Sequence, residues 1–189
     1  MSCVSRLPDQ LKKLDIKINI CRLFHLYGKN KYDSHISYLE HALQSASDAE
    51  LNGYEPPMII AALVHNIGHL VIEAEKDSCI IFEDMSIKNK KNHDYENYGV
   101  EYLKDLGFNS RVLDLILGSI DSRRYLSRDD GYYKNLSDQE KNILQIQGGP
   151  MNDQEKNIYL ENKDYSLYIA LRFFVSSTHM VGRNTKELE

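Results

Sequence analysis

The chain has 189 residues, 42% of them hydrophobic and 27% charged, proportions typical of one globular domain with its own core. Its formal net charge of -5 and pI of about 5.8 argue against nucleic acid or an anionic membrane surface as a partner. Cys3, Cys21 and Cys79 have no metal-ligand spacing, and no hydrophobic leader precedes residue 14, so we expect reduced thiols and a cytoplasmic protein.

The first two helices are predicted from apolar spacing and end signals. Residues 9–27 keep apolar side chains at near-helical intervals, and Gly28 follows as a stop signal. Either Ser34 or Ser37 is placed to cap a second helix that runs to about Asn52. The stretch between the two helices is polar and reads as a connector.

The third predicted helix carries most of the chemical interest. Pro56 starts it in the favoured first turn, and the following residues, Met58–His69, are apolar nearly all round, so we expect this helix at the domain centre. Its apolar run is too short and too polar to span a bilayer. His65 and His69 are four residues apart and would share one face of a continuous helix.

The second half of the chain predicts further helices separated by polar segments. Residues 71–92 are mixed and charged and read as a surface excursion, and residues 127–134 read as a loop. The predicted helices are Asp94–Leu106, Arg111–Tyr125 with Ser110 as cap, one after a capping box at Ser137, one from Asn152 to Asn162, and one from Asp164 to Val181. The sequence therefore predicts a single all-α domain of about eight helices.

The histidines suggest a metal site that lacks a carboxylate. His65 and His69, with His41 from another apolar helix, are imidazoles delivered from two buried elements, which is how transition-metal sites begin. A hard cation there would require a carboxylate, and the residue beside His65 is the amide Asn66. Lone histidines near helix ends are also common as core or capping residues.

Several stretches resemble the HD-domain superfamily and, within it, the organophosphonate oxygenases. Seven segments carry the resemblance: the two earliest resemble the HD signature, and the five later ones, in their order along the chain, are similar to the oxygenases. They are Glu40–Ala46, Ala61–His69, Gly99–Leu103, Leu106–Phe108, Arg124–Leu126, Lys134–Ser137 and Gln147–Met151. The resemblance covers residues 35–175 and implies an HD core over residues 31–181, after an N-terminal helix within residues 1–30 and before a loose tail at 182–189.

The resemblance implies a mixed-valent di-iron enzyme that oxidises a carbon beside a phosphonate, and it also shows where this chain departs. Of the six family ligands, His41 and His65 match. The other four positions carry Asn66, for the bridging aspartate, and Tyr95, Ser119 and Val175. His93 is two residues from the third histidine position, a slip of about half a helical turn. The family's iron-gating tyrosine and glutamate fall on Lys31, with Tyr32 adjacent, and on Ser34.

The positions that resemble the family's phosphonate-binding groups all carry a usable donor. They are His69, Arg123 in place of a lysine, Ser137 and Arg172. A guanidinium keeps the charge and adds a fork that suits phosphoryl oxygens. Ser137 is also a predicted helix cap, and Arg123 also fits a solvated face, so structural roles remain open for both.

We therefore expect a degenerate HD-domain protein, a pseudoenzyme, that binds a small phosphonate- or phosphate-type ligand, with no cofactor and no assigned catalytic residue. One alternative is an active iron-dependent organophosphonate oxygenase acting on a 1-hydroxyphosphonate, or an HD phosphohydrolase. Its metal site would be rebuilt from His41, His65, His69 and His93 with Asp94 or Glu96. A second alternative is a protein-interaction module, with a protein partner for its 13 tyrosines.

Overall fold

A computed structural model of the chain describes residues 9–77, 94–176 and 180–188. Within these ranges the regular secondary structure is helical and no named strand forms, which confirms the all-α prediction. The helices are α1 (Asp9–Tyr27), α2 (Tyr38–Leu51), α3 (Pro56–Val64), α4 (Ile67–Lys76), α5 (Tyr95–Asp105), α6 (Ser110–Leu126), α7 (Asp130–Asn135), α8 (Asp138–Ile146), α9 (Asp153–Glu161) and α10 (Tyr165–Ser176).

Helix caps explain why several predicted boundaries are correct. Ser37, not Ser34, caps α2: its Oγ accepts from the Glu40 amide at 3.3 Å, and the Glu40 carboxylate accepts from the Ser37 amide at 2.8 Å. An equivalent capping box starts α8 at Ser137, as predicted, and another starts α9 at Asn152, which was predicted as a cap. These short motifs are local, so the sequence alone contains the information.

The predicted continuous helix over Met58–His69 is wrong. The chain breaks at His65 and Asn66, where Asn66 has φ -98° and ψ 10°, and α4 then continues to Lys76 in place of a surface excursion. The His65 Nδ1–H donates to the Ala62 carbonyl at 2.8 Å. An uninterrupted helix would give that carbonyl to the Asn66 amide, so the imidazole competes with the helix at the break.

Two other expectations for the second half need correction. The predicted loop over residues 127–134 contains most of the short helix α7, whose cap Asp129 accepts from the Tyr132 amide at 2.8 Å. Helix α6 is capped by Asn109, so Ser110 is its first residue. Asparagine and serine are both good caps, so the sequence pattern alone does not decide between these two neighbours.

The last helix is shorter than predicted. It ends at Ser176, and Val181 is not helical; residues 177–179 lie outside the described ranges. In the tail, the Arg183 guanidinium pairs with Asp48 of α2, and Lys186 pairs with Glu50 at 2.6 Å. Cys21 is a free thiol, while Cys3 and Cys79 lie outside the described residues.

Helices α3 and α4 lie at the centre of the bundle. Helices α2 and α6 pack on α3, helices α1 and α5 pack on α4, and α10 packs across α6 and α2. Residues 56–76 are long and apolar enough to span a membrane on length and composition alone. Within the most apolar part of this stretch 56% is buried inside the fold, a pattern that the core helices of globular domains also show.

A glycine contact joins α4 to α5 and positions the site. A Cβ on Gly68 would overlap the Tyr95 carbonyl oxygen, and one on Gly99 would lie 2.9 Å from the Gly68 amide nitrogen. The two backbones therefore approach more closely than any larger residue allows. As a result, His69 of α4 and Tyr95 of α5 lie side by side.

Candidate functional site

A cavity of about 330 Å³ opens beside the break between α3 and α4. Helices α5, α6, α8 and α10 and the connector before α2 complete its wall. Eight of the ten positions singled out from the sequence line it: His65, Asn66, His69, Tyr95, Arg123, Ser137, Arg172 and Val175. Residues that are distant in sequence thus converge on one volume.

The two remaining positions lie deeper. His41 is fully buried in α2 and does not line the cavity; its ring centre is 4.9 Å from that of His65 and 3.9 Å from that of Tyr32. Ser119 is buried in α6 and is also absent from the cavity wall. Tyr32, which the sequence places beside a family gating position, lies between His41 and the cavity.

His65 is held as a neutral imidazole. Its Nδ1–H donates to the Ala62 carbonyl, which leaves Nε2 as the acceptor nitrogen. Burial lowers the pKa of His65 to about 4, against a smaller raising effect of that hydrogen bond. Metal-ligating imidazoles have this arrangement, and so do histidines satisfied within a core.

His69 forms part of an aromatic wall. Its ring stacks on Tyr95 at 4.1 Å between centres and lies 5.0 Å from the ring of Tyr38, which in turn meets Tyr32 edge-on at 5.6 Å. Burial lowers the pKa of His69 to about 4, despite the opposing charge of Glu96. A neutral imidazole has one N–H to donate, so His69 offers a ligand one hydrogen bond and an aromatic face.

A largely buried carboxylate, Glu96 of α5, neutralises much of the positive charge on the cavity wall. The Arg123 Nη1 and Nη2 atoms donate to its two oxygens at 2.8 and 2.7 Å, Gln147 donates at 2.7 Å, and Arg172 Nη1 is 3.5 Å away. Burial alone would raise the pKa of Glu96, but both arginine charges and these hydrogen bonds lower it to about 2. We call these four residues, Glu96, Arg123, Gln147 and Arg172, the Glu96 cluster.

The structure thereby separates the two predicted arginines. Both terminal nitrogens of Arg123 are engaged with Glu96, and Nη1 also donates to Gln147 at 2.9 Å. Arg123 is therefore first a partner of Glu96. Its sequence-derived role as a ligand donor would require that pair to open.

Arg172 is buried but incompletely satisfied. It is only 4% exposed, and its nearest carboxylates are Glu96 at 3.5 Å and Glu140 at 3.9 Å. Among the described residues, none accepts a hydrogen bond from its guanidinium, and its buried Nε has no partner there. A guanidinium carries five N–H donors, and leaving buried donors unused is unfavourable.

Ser137 lies at the exposed rim of the cavity, at the start of α8. Its Oγ accepts from the Glu140 amide at 3.2 Å, and its own amide and hydroxyl donate to the Glu140 carboxylate at 2.9 and 2.8 Å. The predicted capping role is thus real. The N-terminus of α8 also adds partial positive charge beside Arg172.

The donors on this cavity differ from the six-ligand set that the family resemblance implies for a two-iron centre. Asn66 is an amide, Tyr95 is stacked on His69, and Val175 is apolar. Of the carboxylates on the cavity wall, Glu96 is the least exposed, and it is held by arginine. Across residues 9–77, 94–176 and 180–188, no group of three or more His, Cys, Asp or Glu side chains is close enough to hold a metal ion. His93 lies outside these ranges.

Sequence reasoning missed the part that Glu96 plays in neutralising arginine. A signal did exist: Glu96 shares one face of α5 with Gly99, Val100 and Leu103, which are buried. A carboxylate on that buried face of α5 points into the interior, where a charged group needs an ion-pair partner. Which cation it meets depends on α6 and α10, and only the packed structure supplies that information.

Comparison with known proteins places this chain in a family. No protein-family model matches the chain. The chain is 30% identical over 170 residues to 1-hydroxy-2-(trimethylamino)ethylphosphonate dioxygenase (glycine-betaine-forming) of Leisingera caerulea, covering 88% of this chain and 82% of that protein. It is 28% identical to hydroxymethylphosphonate dioxygenase of Gimesia maris, covering 90% and 83%.

A third relative, an uncharacterised protein of Acanthamoeba polyphaga mimivirus, is 28% identical over 172 residues, covering 90% of this chain and 75% of that protein. The matches extend over nearly the whole chain. With 30% identity over most of both sequences, the chain belongs to the phosphonate dioxygenase family.

Proposed function

We propose that the chain is a degenerate HD-domain member of this family, which binds a phosphonate- or phosphate-type anion in the cavity without di-iron chemistry. Two named relatives act on phosphonates, which makes this ligand class the natural one to test. The proposal also fits the cavity wall, where the Arg172 guanidinium has no hydrogen-bond acceptor among the described residues.

Arg172 is the observation that carries the proposal. Its guanidinium lines the cavity with Ser137 and His69 nearby, and its two carboxylate contacts are both 3.5 Å or longer. Tetrahedral oxyanions match the guanidinium fork and supply several strong acceptors. An anion placed here would satisfy donors that the protein itself leaves incompletely used.

The absence of di-iron chemistry is supported by the charge of the donor set. A bridging carboxylate compensates two cations at once, and the neutral amide of Asn66 cannot do so. Arg123 and Arg172 already bring two positive charges to the cavity. Glu96 already compensates these arginine charges, so metal ions added beside them would be buried without a buried carboxylate of their own, at a penalty of several kcal/mol per ion.

The alternative is an active iron-dependent phosphonate dioxygenase or an HD phosphohydrolase with a rebuilt metal site. It is favoured by the family itself and by the acceptor Nε2 of His65, whose ring lies 4.9 Å from that of His41. These two histidines would hold the metal, and the further ligands would come from His69, His93 and either Asp94 or Glu96. The metal would activate dioxygen or water.

One set of measurements separates the two. We expect protein purified from iron-supplemented culture to hold far less than one iron per chain by elemental analysis, and to be stabilised by several degrees in millimolar phosphate or methylphosphonate. About two irons per chain, with oxygen-dependent turnover of a 1-hydroxyphosphonate, would establish the alternative.

Matched arginine variants test the site. Arg172→Met keeps most of the side-chain volume and should abolish the anion-dependent rise in Tm. Arg128→Met is the control, because Arg128 pairs with Asp153 at 2.6 Å and does not line the cavity. If both variants keep the full anion response, the anion binds elsewhere and the proposal fails.

A further inference from the structure

A second carboxylate already occupies part of the proposed anion site. Glu140 lines the cavity, and its Oε2 accepts from both the amide and the hydroxyl of Ser137, at 2.9 and 2.8 Å. Its other oxygen, Oε1, lies 3.9 Å from Nη2 of Arg172. The two groups most available to an external anion therefore both face the chain's own carboxylate.

Glu140 differs from Glu96 in how firmly it is held. Both oxygens of Glu96 are paired with Arg123, and its side chain is 14% exposed. The Glu140 side chain is 35% exposed, and its Oε1 is beyond hydrogen-bond distance of Arg172. Rotation of Glu140 into solvent breaks the two hydrogen bonds from Ser137 and exposes a carboxylate that water solvates well.

We propose that Glu140 is the specificity-determining residue of this cavity: an incoming anion has to displace its carboxylate from Ser137 and Arg172. The inference rests on the proposed function. A carboxylate ligand offers the same two oxygens as Glu140 and gains nothing by exchange, while Glu140 has the advantage of being tethered. A phosphonate or phosphate has at least three oxygens and more charge, so it reaches Ser137 and Arg172 together. The cavity therefore selects tetrahedral oxyanions over carboxylates.

Helix capping alone would also explain the Glu140–Ser137 contacts. The test therefore has to separate the effect of the capping hydrogen bonds from the effect of the Glu140 negative charge. The chain has two other capping boxes, at Ser37 and Asn152. Glutamine completes a capping box as glutamate does. Glu140→Gln therefore keeps the cap and removes the charge.

Glu155 supplies the matched control. It closes the capping box of α9 with Asn152, and its carboxylate pairs with Arg124 at 2.5 Å, as Glu140 faces Arg172. Glu155 does not line the cavity. Glu155→Gln thus makes the same chemical change in an equivalent motif elsewhere.

The experiment is calorimetric titration of the full chain with methylphosphonate and with acetate, at one pH and one ionic strength. We expect Glu140→Gln to bind methylphosphonate about fivefold tighter than the unsubstituted chain, the order of effect of removing one nearby like charge. We also expect it to bind acetate measurably, which narrows the preference for methylphosphonate. Glu155→Gln should match the unsubstituted chain for both ligands.

The outcomes are distinguishable. Equal methylphosphonate affinity in the unsubstituted chain and Glu140→Gln overturns the role of Glu140 and leaves the proposed function standing. Tighter binding in Glu155→Gln as well points to net charge and also overturns it. Failure of all three proteins to bind methylphosphonate overturns the proposed function itself. Thermal melts check that both glutamine variants are folded, as the retained caps predict.

Discussion

At the scale of single residues, the cavity keeps its histidines neutral. Burial lowers the pKa values of His65 and His69 to about 4, whereas an unfolded chain protonates histidine near pH 6.5. Between about pH 6.5 and pH 4 the unfolded state therefore binds more protons than the folded state. Stability contributed by these two groups is fully present above pH 6.5 and decreases as the pH falls toward 4.

Histidine NMR titration checks this directly. The ring signals of His65 and His69 should remain those of neutral imidazole from pH 8 to about pH 5 and should shift only near pH 4. The same signals in urea should titrate near pH 6.5, which is the internal control. A folded-state midpoint above pH 6 for both rings would contradict the burial argument.

The sequence predicted several of the donor residues that line the cavity, but it did not predict which side chains pair with each other there. The candidate donors His69, Ser137 and Arg172 all line the cavity as placed from the sequence. The pairing of Arg123 with Glu96 was missed, because it joins α6 to α5 across 27 positions of sequence. Contacts of that kind depend on tertiary packing, which no local pattern encodes.

At the scale of helices, the contact between Gly68 and Gly99 sets how close α4 lies to α5. A methyl group at either position meets backbone atoms, which cannot rotate away as a side chain can. The contact also fixes the stacked pair of His69 and Tyr95, one residue after Gly68 and four before Gly99. The aromatic wall of the cavity therefore depends on having glycine, which has no side chain, at both position 68 and position 99.

Glycine-to-alanine variants test this contact. Gly68→Ala and Gly99→Ala should each lower the free energy of unfolding by about 1–3 kcal/mol, as overpacking usually does, and should weaken anion binding because His69 and Tyr95 separate. Urea denaturation gives the stability. Gly131→Ala is the control, since it lies in the exposed helix α7 and meets only the Asp129 side chain. Stabilities unchanged from the parent at Gly68 and Gly99 would rule out the tight contact.

Helix boundaries set by caps were predictable, and the interruption at His65 was not. Ser137 and Asn152 are recognisable because each cap is followed three residues later by glutamate. The break after α3 has no proline or glycine at the point of interruption. It arises where the His65 side chain takes the Ala62 carbonyl and α5 packs against Gly68, which are tertiary effects.

At the scale of the whole molecule, the Glu96 cluster connects elements that are remote in sequence. Glu96 belongs to α5, Arg123 to α6, Arg172 to α10, and Gln147 caps the end of α8. Breaking a buried ion pair from one side leaves the other charge unpaired, which is strongly destabilising. The cluster therefore helps to hold the arrangement of four helices around the cavity.

Glu96→Gln is the corresponding variant. It should lower the free energy of unfolding by about 3–5 kcal/mol, because Arg123 loses its charged partner in the interior. Asp164→Asn is the control: Asp164 also accepts two hydrogen bonds from one arginine, but the Arg111 side chain is 37% exposed where that of Arg123 is 4% exposed, so the change should be much smaller. Equal losses for the two variants would mean that burial of the Glu96 pair has no special weight.

The Glu96 cluster also has a pH signature. The pKa of Glu96 is about 2 in the folded chain and 4.5 in its ordinary state, so its contribution is present above pH 4.5 and is lost as the pH falls toward 2. Acid denaturation of Glu96→Gln should lack this component. An unchanged slope of stability between pH 4.5 and pH 2 would contradict the assignment.

The Glu96 cluster has a last consequence, for how the molecule is assembled. Its charges are covalently part of the chain, so they become available as soon as α5, α6 and α10 have been synthesised. A centre built on bound ions would have to wait for those ions and would come apart when a chelator removed them. Here the link between the helices can form during folding itself, and it should survive EDTA.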